Sequence, residues 1–377
     1  MTSIADRAGL RAPPPPAGSP APPEQPAAGG LRRPLALAGL LAALVGLVMA
    51  TLGAGSVAIP LDEVTRVLLG GEPTQPAWQT IVRDVRLPRA VTALLAGAAL
   101  GVAGLQMQTL FRNPLADPFI LGVSSGASLG VALVVIAAGS AGTTLVGGLA
   151  LPATVGVAGA AALGAGAVTT LVLVLSRRVA NPATVLIVGL MAGYTVSALV
   201  SLLVHAELGQ GDRIRAYIAW GFGSFAGTTW SDLVVFAPAA VAALLLATAV
   251  TKPLDALLLG ERYAASMGLR VGRARVLVAV GASVLAGTVT AFCGPIGFLG
   301  VAIPHLTRGL LRSSAHRLLV PGCALVGAVV ALAAGLVAQL PGRDATLPLN
   351  AVTALIGAPV VVAVLLRLRR ASRAVTT

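Results

Sequence analysis

The stretch Pro88-Arg-Ala-Val-Thr-Ala-Leu-Leu-Ala-Gly-Ala-Ala-Leu-Gly-Val-Ala-Gly-Leu-Gln-Met-Gln-Thr-Leu110 decides the fold. Past Arg89 it carries no charge, and about 20 largely apolar residues are what a helix needs to cross a bilayer. Gly97, Gly101 and Gly104 form a stripe of small residues along it. Such stripes let helices approach closely in lipid, where packing rather than water exclusion holds them together. Working outward, similar runs occur at about 34–54, 123–139, 152–176, 184–205, 231–251, 274–292, 296–311, 319–338 and 347–366, the eighth span of the chain (296–311) being short. The expectation is an all-α membrane protein of about ten transmembrane helices.

Composition agrees. The chain of 377 residues is 10% charged, with 45 glycines and 3% aromatic residues, and its mean hydropathy is +0.92. A soluble domain is about a quarter charged. The thirteen Asp and Glu fall nearly all in the gaps between apolar runs. Proton- and sodium-coupled carriers usually place ionisable groups within their spans. Here Asp117 and Asp232 come closest, and both sit at span edges. Energy must come from elsewhere, or the protein is a passive pore.

The net charge of +13 orients the chain rather than marking a nucleic-acid binder. Lys and Arg divide 19 to 7 between the two sets of gaps, and the positive-inside rule then puts both termini in the cytoplasm. An even span count agrees. Cys293 and Cys323 lie in or beside apolar spans and read as small packing residues, with neither a metal pattern nor a disulfide framework.

Three regions stand apart from the spans. Residues 1–30, with Pro13 to Pro16 and Pro20, Pro22, Pro23 and Pro26, read as a disordered cytoplasmic tail, and 371–377 as a second tail; the transmembrane body is 31–370. The outer gap 55–88 carries Leu61, Val64, Val67 and Leu68 at helical spacing, which predicts a short helix lying near the surface. Trp78, and Trp220 and Trp230 in the outer segment 206–230, fit interfacial anchors.

Two stretches share a loose inverted pattern. One runs from Arg86 and Arg89 through a Gly-rich helix into Asn113-Pro-Leu-Ala-Asp-Pro118-Phe-Ile-Leu-Gly122. The other runs from Arg273 and Arg275 into Gly294-Pro-Ile-Gly-Phe-Leu-Gly300 and Ile303-Pro-His305. Paired Gly/Pro-interrupted segments of opposite orientation recur around transport pathways.

Enzymatic motifs fail on context. Gly122-Val-Ser-Ser-Gly126 matches a nucleophile pattern that needs a strand–turn–helix setting with a His–acid pair, but it opens a span, and the three histidines, His205, His305 and His316, are scattered. No catalytic or metal site is predicted. A phosphate-binding loop needs Lys after Gly; the sole lysine, Lys252, follows Thr251 and precedes Pro253. ATP hydrolysis by that route is excluded.

The sharpest feature is the inner segment 253–271. Asp255-Ala-Leu-Leu-Leu-Gly260 and Glu261-Arg-Tyr-Ala-Ala-Ser-Met-Gly268 read as two short helices, closed by Gly260 and Gly268. Glu261 suits the second helix's positive end. A compact helical pair of this kind is what a partner's groove grips.

Arg86-Leu-Pro-Arg89, Asn113 to Pro118 with Gly122 to Gly126, Leu259-Gly260-Glu261 to Gly268, Gly294 to Gly300 with Pro304-His305, and Leu347-Pro-Leu with Thr353-Ala-Leu-Ile-Gly-Ala-Pro359 occur in this order. Together they closely resemble the FecCD-type permeases, the membrane subunits of importers for iron–siderophores, haem and cobalamin, over about residues 34–370. The resemblance implies the type II permease architecture of ATP-binding-cassette (ABC) importers in the bacterial cell membrane. It implies a second permease subunit, identical or paralogous, two cytoplasmic ATPase subunits that hold ATP and Mg, and an external substrate-binding lipoprotein. No cofactor is expected in this chain itself.

By resemblance, Leu259, Gly260, Glu261, Ala264, Gly268 and Leu269 couple to the ATPase, and Arg86 and Arg89 dock the binding protein. The third docking arginine of some members falls at Gln339, a departure; either Arg343, four residues on, substitutes or the contact is missing. Thr346, where an acidic residue often precedes Leu-Pro, is another departure. The inner gate falls at Asn181, Pro182 and Thr184, and Tyr194, Thr195 and Ser197 line the pathway. The cargo expected first is a ferric siderophore, with haem or cobalamin, or an ion-coupled carrier, as alternatives.

Overall fold

The computed structural model describes residues 32–137, 153–176, 182–206, 211–339 and 346–376, and these are all helical or irregular. Helices α1 (Arg32–Gly53), α4 (Leu87–Phe111), α5 (Val123–Ala132), α6 (Ala153–Ser176), α7 (Pro182–Ala206), α9 (Trp230–Ala249), α12 (Val271–Cys293), α13 (Leu299–Leu311), α14 (His316–Ala338) and α15 (Leu349–Thr376) stand where the ten apolar runs predict them. Short helices α2 (Leu61–Leu68), α3 (Pro76–Thr80), α8 (Gly211–Gly221), α10 (Thr251–Leu258) and α11 (Glu261–Ser266) fill the gaps.

Seven described helices are long and apolar enough to cross a bilayer unaided. α5 is prolonged by a π-helical turn, Leu133–Ala137. The 13 residues of α13 rise only about 20 Å, short of the roughly 30 Å hydrocarbon layer, and the irregular stretch 294–298 precedes them. α15 continues as helix to Thr376, where a tail from 371 was expected. The Pro-rich tail, 1–30, lies outside the described residues.

α4 is the axis of the bundle. Its middle, from Ala96 to Leu110, is buried throughout. The predicted glycine stripe is the reason it can be. A methyl group on Gly97 would collide with the Gly327 carbonyl of α14, one on Gly101 would come within 2.7 Å of both the Cys323 carbonyl and the Ile303 side chain, and one on Gly104 would collide with the Gly300 carbonyl of α13. α5 and α6 meet in the same way, Gly126 on Gly164 and Gly130 on Ala160. Both cysteines are buried and free.

The two inverted stretches meet at one end of the bundle. His305 donates from Nε2 to the Pro114 carbonyl (2.8 Å). Gln108 donates to the Val301 carbonyl (3.1 Å) and accepts from Arg308 (2.7 Å). Asp117 caps the turn Pro118–Leu121 by accepting the Phe119 N–H (2.8 Å); burial pushes this carboxyl up to about 6, against the lowering effect of that hydrogen bond. This basic end gathers Arg112, Arg308, Arg312 and Arg317 with α10 and α11.

At the opposite end, Asn350 stitches three segments. Its amide accepts the Gly297 N–H (2.8 Å) and donates to the carbonyls of Pro295 (2.7 Å) and Gly221 (3.3 Å). A capping box of Thr229 and Asp232 starts α9, and the Thr228 hydroxyl meets that of Thr92 on α4 (2.8 Å). The predicted amphipathic helix is α2, with Val64 and Val67 buried but Leu61 and Leu68 exposed. Glu63, on its inner side, accepts from the Thr74 hydroxyl and N–H and from Arg66, bonds that hold it below the ordinary carboxylate range.

Candidate functional site

Two short helices hang from the basic end. α10 is seated by Leu254 and Leu257, which are buried, and α11 by Ala264 alone. Between them Gly260 has φ +115 and ψ 146. The positive φ expected of it is there, but with an extended ψ, a region essentially confined to glycine. Gly268 (φ +84) ends α11, and the Leu269 N–H returns to the Ala264 carbonyl (3.0 Å). Glu261 opens α11 and is paired with Arg275 in the first turns of α12. This leaves Leu258, Leu259, Tyr263 and Met267 pointing away from the bundle, 43 to 65% exposed. Apolar groups clustered on a surface in this way mark an interaction site.

The second feature is α7. One face packs inward: Gly189 abuts the Ile120 carbonyl, and Val196 and Val200 are buried. The other face carries Tyr194, Thr195, Ser197, Ser201 and His205, all exposed. The Thr195 and Ser201 hydroxyls turn back onto the carbonyls of Met191 and Ser197 (both 3.0 Å), the helical way of quieting a hydroxyl. Ser197, Ser201 and His205 border an open cavity of about 470 Å³ that Ser128 and Tyr217 also line; burial raises the Tyr217 phenol. Thr184 is half-buried near the start of α7 and Pro182 is its first residue. Asn181 lies outside the described residues.

The arginines assigned to docking divide. Arg86 is 4% exposed. Its guanidinium donates to the carbonyl of Leu52 (2.7 Å) and to that of Val57, pinning the end of α1 to α4. Arg89 is half-buried, and its Nε meets no partner among the described residues. Arg83 is exposed beside it, its carbonyl taking the Trp230 indole N–H (2.9 Å). Gln339 is buried at the end of α14, and Arg343 lies outside the described residues. Replacing Arg86 by alanine orphans two carbonyls at about 1–3 kcal/mol each. A lower thermal midpoint in detergent is the expected result, and an unchanged midpoint would remove the pinning role.

Among the described residues no three His, Cys, Asp or Glu side chains gather closely enough to hold a metal ion. Sequence reasoning missed two polar junctions, Asn350 and the pair Asp255–His316 (2.6 Å). The partners of each are far apart in the chain, so no local pattern announces them.

A multi-span bundle wound on a glycine-lined axis, with an apolar helical pair exposed at its basic end, is the architecture of a multi-pass membrane protein. Residues 42–367 match the FecCD transport family. The chain belongs to that family, whose members are permease subunits of ABC importers. It is 36% identical over 328 residues to the uncharacterized ABC transporter permease protein YvrB of Bacillus subtilis, covering 85% of this chain and 90% of that one. It is 37% identical over 293 residues to the vitamin B12 import system permease protein BtuC of Salmonella paratyphi A, covering 78% and 85%. In fold it is similar to a solved transporter assigned to the metal-chelate ABC type, in an inward-facing conformation, with a TM-score of 0.75 and 30% identity, covering 89% of this chain and 99% of that one.

Proposed function

We propose that this chain is the half-channel through which a metal chelate passes from an external binding protein to the cytoplasm, powered by separate ATPase subunits. The observation that carries the reading is the exposed apolar pair α10–α11, fastened by Glu261 to Arg275 at the end where arginines gather, in a chain that has no phosphate-binding lysine. The positive-inside rule places that end in the cytoplasm, where an ATPase groove takes up Leu259, Tyr263 and Met267. The exposed face of α7, with Tyr194, Thr195 and Ser197, lines the pathway against a second permease subunit, and the gate falls at its start, Asn181 to Thr184. Small, weakly polar walls hold a bulky chelate loosely enough to release it.

A ferric siderophore is the cargo of the leading reading. Cobalamin is the second, favoured by the similarity to a permease named for vitamin B12 import. The deciding experiment reconstitutes the chain with its ATPase and binding protein in proteoliposomes and offers ferric siderophores, haem and cobalamin. ATP-dependent uptake of one of them that needs all components supports the importer and names the cargo. Uptake without ATP would overturn it in favour of a carrier or channel. Arg89→Glu is expected to weaken docking of the binding protein by about tenfold while basal ATPase activity persists, since rim charges act on encounter; unchanged docking would remove Arg89 from that surface.

A further inference from the structure

A line of hydrogen bonds joins the helical pair to the core of the bundle. Asp255, on α10, accepts at Oδ1 the backbone N–H of His316 (2.9 Å) and faces His316 Nδ1 at 2.6 Å. His316 is the first residue of α14 and is 1% exposed. Its Nε2 lies 2.9 Å from the hydroxyl of Thr109, in the last turn of α4. That hydroxyl also stands 2.9 Å from the Leu105 carbonyl. An ionised carboxylate only accepts, so Nδ1 carries a proton and Nε2 takes the Thr109 hydrogen. On a doubly protonated ring Nε2 donates instead, and the hydroxyl turns to Leu105. Both contacts persist in either state. Asp255 also satisfies an otherwise open N–H at the start of α14.

We propose that Asp255, His316 and Thr109 form the strut that carries displacement of α10 into α4 and α14, with His316 as its positioning residue. The inference rests on the reading of α10–α11 as the segment an ATPase grips. Three considerations carry it. The other seat of α10, Leu254 and Leu257, is apolar and non-directional, so it resists separation better than sliding. The other polar link, Glu261–Arg275, fastens α11 to α12 and so does not tie α10 to α4 or α14. The strut is directional; Asp255, at its outer end, is 44% exposed, but its bonds run onto His316 and Thr109, which are buried, where such bonds are stiffest. It ends on α4 and α14, which the contacts at Gly97 and Gly101 already join into one body. A push on Asp255 is thereby delivered to the axis of the bundle.

The test uses the full complex with its ATPase and binding protein, both native cysteines replaced, and spin labels at Lys252→Cys on α10 and Arg317→Cys on α14. In the otherwise unaltered complex the label-to-label distance is expected to be the same without nucleotide and with ATP trapped. In Asp255→Ala and His316→Ala it should broaden and shift with nucleotide. ATP consumed per molecule of cargo (ferric siderophore or cobalamin, whichever the unaltered complex takes up) should rise about tenfold, the scale of one lost buried hydrogen bond. Thr109→Ser keeps the hydroxyl and should behave as the unaltered chain, whereas Thr109→Val should not. A merely structural role would lower assembly, hydrolysis and uptake together and leave their ratio alone. Unchanged distances and ratios in assembled Asp255→Ala and His316→Ala overturn the strut. Should those two not assemble, equal behaviour of Thr109→Ser and Thr109→Val overturns it. If the unaltered chain binds no ATPase, the underlying reading fails, and that result is distinct from all of these.

Discussion

Gly104→Val is expected to abolish the assembled protein. The new side chain would occupy the place of the Gly300 carbonyl, and backbone cannot rotate aside as a side chain can. α4 and α13 would have to separate, breaking the Gln108–Val301 and His305–Pro114 bonds beside the contact. Overpacking an ordinary core costs about 1–3 kcal/mol, and this site, backbone against backbone, lies at or above the top of that range. The measurement is the yield of monodisperse, protease-resistant protein in detergent, with Gly159→Val as the control. Gly159, on α6, has open space around it, and its variant should express as the parent does. Equal yields for both would mean that α4 and α13 are not in contact as described.

The second large effect belongs to Gly260→Pro. Proline holds φ near −65°, and Gly260 stands at +115. The chain must leave α10 in another direction, so α11 loses its seat on Ala264 and Glu261 its reach to Arg275. With ATPase and binding protein present, uptake is expected to fall at least about tenfold while the ATPase still hydrolyses ATP. Gly260→Ala should lie between, because a residue other than glycine held in that extended positive-φ region costs about 1–3 kcal/mol. Retained coupling in the proline variant would remove Gly260 from the transmission path.

These two glycines show how much could be read in advance. Gly104 belongs to a periodic stripe within an uninterrupted apolar run, and periodicity is local information, so the axis helix and its close packing were legible. Gly260 was legible as a helix stop, but its extended ψ was not, since it depends on where α10 and α11 must each point. The shortness of α13 was visible in the short apolar run 296–311. The positions of the arginines followed only in part. Arg86 and Arg89 share a motif, yet their fates differ by the path of the chain at and after the end of α1, which sets the carbonyls of Leu52 and Val57 on Arg86 and none on Arg89 Nε among the described residues. The strut was illegible because Thr109, Asp255 and His316 lie on three helices, each an unremarkable polar residue near a span edge until the bundle closes.

The exposed face of α7 has a consequence for how the protein is made. A copy inserted on its own presents Tyr194, Ser197, Ser201 and His205 to hydrocarbon, which solvates none of them well. Such an orphan is what membrane quality control removes. Synthesis and pairing are therefore expected to be closely linked in time, with the level of this chain in the cell set by the supply of the subunit it faces.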